Sequence, residues 1–90
     1  MSDTIGVVAD LTDSAQADAV VNAVLAAYGR IDLLVNNAGM LNVNEAEVAR
    51  ALAAFTDAEW RRGMEINLTT AFNVTRAALP GMVAQGYGRI

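Results

Sequence analysis

Three clusters of polar residues in this chain could do chemistry. Asp10-Leu11-Thr12 follows the apolar run Ile5-Gly6-Val7-Val8-Ala9. Asn36-Asn37-Ala38-Gly39 follows a second apolar run, and Asn67 lies within a long apolar-periodic segment. A carboxylate such as Asp10 can accept a hydrogen bond from an exocyclic amine, the adenine N6 for example. Small residues at Ala38 and Gly39 let a ribose or ring lie against backbone. The plainer reading is that Asp10 opens a turn and Asn37 ties two strand ends together. Periodicity alone leaves both readings open.

What the chain lacks narrows the chemistry further. It has no cysteine and no histidine, and its six basic residues are all arginine. Thiol nucleophiles, disulfides, zinc-thiolate sites and an imidazole base are therefore excluded, as is an amine nucleophile. No metal site is expected. A net charge of −4 argues against a nucleic-acid surface, which needs a basic stripe. No stretch reaches the roughly 20 apolar residues that cross a bilayer, and the N-terminus lacks the basic start and apolar run of a signal peptide. A cytoplasmic location is expected.

The elements that must position these residues follow from periodicity. Residues 5–9 read as a buried parallel strand, apolar on both faces. Asp13 with Gln16 has capping-box spacing, and Ala17, Val20, Val21, Val24, Leu25 and Tyr28 form the stripe of a helix ended by Gly29. Ile31-Asp32-Leu33-Leu34-Val35 reads as a second strand, completing a βαβ unit. Asn44 with Glu47 suggests a short helix whose apolar face is Val48, Ala51, Leu52 and Phe55. Thr56-Asp57-Ala58-Glu59 is a capping box. From it Trp60, Met64, Leu68, Ala71, Phe72, Thr75, Leu79 and Met82 mark one face of a long helix, expected to end near Leu79 before Pro80-Gly81. Gly86-Tyr87-Gly88 reads as a loop and Arg89-Ile90 as the start of a third strand, which suggests a truncated chain.

On that helix Asn67 falls roughly 20° from Trp60 at 100° per residue, so it is expected inward and hydrogen-bonded. Bonding to its own helix backbone is the structural alternative to a functional role. Asn73 falls on the opposite side and is expected in solvent. Trp60 and Phe72 are expected in the core, and Arg61-Arg62 on a solvated face. The Asn67-Leu68-Thr69 and Asn73-Val74-Thr75 matches to a glycosylation acceptor are taken as chance in a helical setting.

Taken in order, Asp10-Leu11-Thr12-Asp13, Asn36-Asn37-Ala38-Gly39, Ile66-Asn67-Leu68, Ala77-Ala78-Leu79-Pro80 and Gly88-Arg89-Ile90 resemble the central segment of the classical short-chain dehydrogenases/reductases. Each motif is weak alone, but the ordered set spans nearly the whole chain. The resemblance implies an α/β fold, a partial Rossmann-like doubly wound parallel sheet with a β-α-β-α-β skeleton. It implies that residues 1–90 are an incomplete NAD(P)-binding domain. Asp10 would sit at the adenine of NAD or NADP with Leu11 following it. Asn36, Asn37, Ala38 and Gly39 would line the cofactor ribose, and Asn67 would be the helix asparagine of an Asn-Ser-Tyr-Lys tetrad, holding a water in a proton relay.

The departures are equally specific. Nothing here matches the family's Gly-rich turn, which holds the pyrophosphate at a helix N-terminus. The catalytic Ser and the Tyr-xxx-Lys pair would fall after residue 90. Tyr28 is followed four places on by Asp32, Tyr87 has no residue at that offset, and no lysine is present to activate either. In the family's strand order, 3-2-1-4-5-6-7, the strands between the first two found here are missing, so either those two close up and pair directly or each leaves an exposed edge that invites self-association. The expected function is thus a fragment of an NAD(P)-dependent oxidoreductase, without turnover alone. The competing reading is a non-catalytic interaction or dimerisation module using the helix from Asp57. A third is a gene product without function, which would melt without cooperativity.

Overall fold

The computed structural model describes residues 3–39 and 52–90. Helix α1, Ser14–Tyr28, begins where Asp13 accepts a hydrogen bond from the Ala15 N–H at 3.0 Å. It ends at Gly29, whose φ of 83° and bond to the Leu25 carbonyl form a left-handed cap. Both boundaries agree with the sequence. Gln16 departs from a capping box. Its amide nitrogen donates to Asp13, and its carbonyl accepts the Asp10 N–H rather than that of Asp13.

The strands do not form as expected. Among the described residues, pairing is confined to one parallel bridge between Leu33 and Arg89, bonded Leu34 N–H to Arg89 O at 2.9 Å and Arg89 N–H to Asp32 O at 3.0 Å. Residues 5–9 form no strand pairing among the described residues, and Val8 is fully exposed. The physical reason is that a strand exists only through its neighbour's hydrogen bonds. The described residues offer residues 5–9 no partner, so the β-α-β-α-β skeleton is reduced to its helices and a single rung. That rung does show the last segment running parallel to residues 31–35.

The helix expected over residues 44–55 falls largely outside the described residues; Leu52–Ala54 form one 3-10 turn, and Phe55 is exposed. Helix α2, Asp57–Met64, starts on Thr56, whose hydroxyl oxygen accepts the Glu59 N–H at 3.1 Å. Asp57 and Glu59 complement the helix dipole there. Replacing Thr56 by Ala is expected to lower stability by about 1 kcal/mol, read as a fall in melting temperature, with Thr56→Ser restoring it.

Helix α2 continues through a single π-helical turn, Glu65–Thr69, into α3, Thr70–Gln85. The expected end at Leu79 is corrected: Pro80 lies inside α3. A proline there forfeits one helix bond, a cost of about 3 kcal/mol or more. Two features on the last turn offset it. Met82 is buried, and the Gln85 amide donates to Ile31 O and Tyr87 O, each at 2.7 Å. Gly86 then closes α3, with φ 73° and the paired bonds Gly86 N–H to Val83 O and Tyr87 N–H to Met82 O of a Schellman cap.

The core is thin. Ala17 and Val21 of α1 meet Val74 and Ala78 of α3, and Leu11, Leu25, Ile31, Leu34 and Ala77 pack around them. Here the face expected for the long helix is inverted. Trp60, Met64, Leu68, Phe72 and Leu79 are exposed, and Trp60 and Phe72 are not core residues. Only Met82 of the expected stripe is buried, together with Thr70, Asn73, Val74 and Ala78. The segment is apolar on two sides. The side of small residues lets α3 approach α1 closely, leaving the bulky side open.

Candidate functional site

The turn after residues 5–9 is held almost completely by its own chain. Asp10 N–H donates to Gln16, and Asp10 O accepts the Asp13 N–H. One carboxylate oxygen of Asp10, Oδ1, accepts from both the Thr12 N–H at 3.0 Å and the Thr12 hydroxyl at 2.6 Å. These two donors, the hydroxyl foremost, hold the Asp10 carboxyl below the ordinary aspartate range, with Arg62 adding a smaller pull in the same direction. Asp10 is exposed and anionic. Among the described residues its Oδ2 and the Leu11 N–H make no hydrogen bond, which leaves one acceptor and one donor on neighbouring residues of the turn.

The lowered pKa has a signed consequence. Asp10 contributes its stabilisation fully above the unfolded aspartate pKa, about 3.9, and loses it as pH falls through the lower folded value. Replacing Thr12 by Val removes the stronger donor. The acid limb for any ligand held by Asp10 is then expected to move to higher pH, a shift measurable by titrating ligand affinity.

Asn36-Asn37-Ala38-Gly39 forms the second turn. Asn36 Nδ2 donates to the Thr75 hydroxyl on α3 at 3.1 Å, while the Asn37 N–H closes a tight turn onto Val35 O. Asn36, rather than Asn37, is therefore the side chain that ties this turn to the rest of the chain. Asn36, Asn37 and Ala38 are exposed and Gly39 is half-buried. Gly39 has a φ of 141°, and a methyl group there would lie 2.8 Å from Asn67 Oδ1.

Asn67 sits in the π-helical turn and is exposed, not inward as its spacing from Trp60 suggests. Its amide donates to Gly63 O at 3.0 Å, and its Oδ1 faces Gly39. It is exposed because the stripe it shares is the open one. Short π-helical segments inside α-helices recur at functional sites. Asn73, expected in solvent, is the buried amide: it is 4% exposed, and its Nδ2 donates to Leu11 O at 2.9 Å. The opposition of residues 60 and 73 around the helix was legible from spacing; which side packs was not.

These contacts attach both predicted turns to one helix, from different sides of it. Leu11 from the first turn and Asn36 from the second are bonded to Asn73 and Thr75, two positions apart on α3. Gly39 meets Asn67 one π-turn and part of an α-turn earlier. No group of three or more metal-ligating side chains occurs among the described residues. None of the helices there is long and apolar enough to cross a membrane.

The profile described as short chain dehydrogenase matches residues 1–90, and the chain belongs to that family. It is 44% identical over 73 residues to a hexahydroindene-carboxyl-CoA reductase of Mycobacterium tuberculosis, an alignment covering 81% of this chain and 26% of that one. Its fold superposes on a short-chain dehydrogenase from Streptomyces avermitilis with a TM-score of 0.76 at 39% identity, covering 91% of this chain and 28% of that one. A gluconate 5-dehydrogenase from Burkholderia cenocepacia, solved with NADP and tartrate, gives a TM-score of 0.72 at 37% identity over 88% of this chain and 29% of the other. The chain thus spans less than a third of the length of these relatives.

Proposed function

We propose that these ninety residues form one wall of the dinucleotide site of an NAD(P)-dependent oxidoreductase. The observation that carries this reading is the joint anchoring of two strand-end turns on α3, at Asn73 and Thr75. In open α/β sheets ligands lie beyond the carboxyl ends of the strands, where both turns fall. Asp10 Oδ2 and the Leu11 N–H, unbonded among the described residues, match the amine and ring nitrogen on one edge of adenine. The half-buried Gly39, with no side chain, suits the close approach of a ribose. Asn67, beside Gly39, would hold a water through Oδ1. The nicotinamide supplies the hydride chemistry when bound.

Family membership supports hydride exchange with a carbonyl or alcohol, and the NADP-bound relative supports the cofactor class. The pyrophosphate-holding glycine turn and a Tyr-xxx-Lys pair are not among these residues, so the ninety residues by themselves are expected to be inactive. The intact enzyme carrying them should bind ADP-ribose and reduce or oxidise its substrate with NAD(P). Turnover by the purified 90-residue chain would defeat this reading.

A second reading has its own observation. Leu68, Ala71, Phe72, Thr75, Arg76, Leu79, Pro80 and Val83 line an open apolar groove of about 880 Å³ on α3. With the exposed Trp60 and Met64 it continues an apolar face, the kind of surface that marks an interaction site. The occupant we propose is a second copy of the chain, meeting face to face. Sedimentation should then show a discrete dimer that Phe72→Glu converts to monomer; a monomer at all concentrations removes the reading.

A further inference from the structure

We infer that Asn73 is a positioning residue for the adenine-binding turn, an inference that rests on the nucleotide reading above. Asn73 is 4% exposed in the small contact between α3 and α1. A buried amide is an unfavourable choice for packing alone, since it must be desolvated and then fully bonded. Both ends of this one are used. Nδ2 donates to Leu11 O at 2.9 Å, and Oδ1 faces Arg76 Nη2 at 3.4 Å. Arg76 in turn lies over the Phe72 ring, 4.6 Å from its centre, so the side chain that fixes the amide's orientation is itself held.

The carbonyl that Asn73 takes belongs to the residue between Asp10 and Thr12. Gln16, Asp13 and Thr12 bond the Asp10 N–H, carbonyl and Oδ1, from α1 and from within the turn. Among the described residues, only Asn73 bonds it from α3, 62 positions away. Without that bond the turn would keep its internal hydrogen bonds, Thr12 N–H to Asp10 Oδ1 and Asp13 N–H to Asp10 O, but would lose this tie to α3, so that Asp10 and Leu11 would shift together against the helix. Asn73 touches no ligand. It acts through Leu11, holding in place against α3 the turn that carries the Asp10 carboxylate and the Leu11 N–H.

The test uses the intact enzyme carrying this segment, with ADP-ribose and nicotinamide mononucleotide as separate probes of the two cofactor halves. Asn73→Leu keeps the branched outline of the side chain, at a larger volume, and removes the donor. It should weaken ADP-ribose binding about 10-fold and raise KM for the dinucleotide by a similar factor, with kcat and nicotinamide mononucleotide affinity unchanged. In an Asp10→Ala background the same substitution should change ADP-ribose affinity less than threefold, because the acceptor held in place is already gone. If Asn73→Leu unfolds the enzyme, Asn73→Ser and Asn73→Gln supply donors of different reach. Recovery of ADP-ribose affinity by either supports the role. Folded variants that bind ADP-ribose as the parent does, or that lose both halves equally, overturn it. Failure of the unsubstituted enzyme to bind ADP-ribose is a separate result, and it removes the nucleotide reading and this inference together.

Discussion

Replacing Gly39 by Ala is expected to cost the intact enzyme about 2–4 kcal/mol in the combined terms that set cofactor binding, or roughly 30- to 1,000-fold in affinity. Two penalties add. At φ 141° a side chain is strained whatever space surrounds it. The new methyl group would also meet Asn67 Oδ1 at 2.8 Å, with Ile66 O at 3.4 Å behind it. Asn67 cannot simply swing aside, because its amide is bonded to Gly63 O. Relief therefore means moving the second turn off α3 or breaking the asparagine's helix contact. Either displaces residues proposed to hold the ribose and the relay water. Dinucleotide affinity measured beside a melting curve checks the expectation. Parent-like affinity in Gly39→Ala would show that the turn has slack the geometry does not allow.

Met82→Ala is the second large effect, expected to lower stability by about 2–5 kcal/mol. Met82 is 4% exposed at the end of α3, and it accepts the Tyr87 N–H that closes the cap. So few residues are buried here that this loss is a large share of what a small domain ordinarily holds, and the 90-residue chain should be mostly unfolded at room temperature. Met82→Leu, conserving volume, should cost less than about 1.5 kcal/mol.

The partner of Met82 supplies a sharper test. A methyl group on Gly88 would sit 2.5–2.8 Å from Met82 Sδ, Cγ and Cβ, so Gly88→Ala should also destabilise, by about 1–3 kcal/mol. The two losses should not add. With Met82 truncated, the sulfur and Cγ that block the methyl group are gone, and Gly88→Ala should become much less costly in that background. Only the contact with Cβ remains. Strict additivity in chemical denaturation would mean that Gly88 is needed for its backbone and not for the space it leaves.

Much of the site was readable as residue types before any coordinates. The caps were local events, and Asp13, Gly29 and Thr56 act where their spacing puts them because a cap needs only its own turn. The Asp10 turn and the Asn-Asn-Ala-Gly turn were likewise legible as polar breaks after apolar runs. What misled was the long helix. Leu68, Phe72 and Leu79 are larger and more apolar than the residues opposite, so a pattern of hydrophobicity selects them as the core face. Packing selected Thr70, Asn73, Val74 and Ala78, whose small size admits α1. No periodicity distinguishes two apolar sides of one helix when each has a different occupant.

The same division explains Asn67 and Asn73. Their separation around the helix follows from helix geometry, so the sequence determined that the two amides point to different sides of it. Which of them is buried depends on where Leu11 lies, and Leu11 is 62 positions from Asn73. The strands depended on distance in the same way. Residues 5–9 have the composition of a buried strand, but a strand is completed by its neighbours' hydrogen bonds, and among the described residues only Leu33 and Arg89 supply a rung. Caps, turns and chemical types are written locally because their partners are one helical turn away. Burial, pairing and the meeting of two turns on one helix were decided only by tertiary structure, because each needs a partner that the local sequence does not contain.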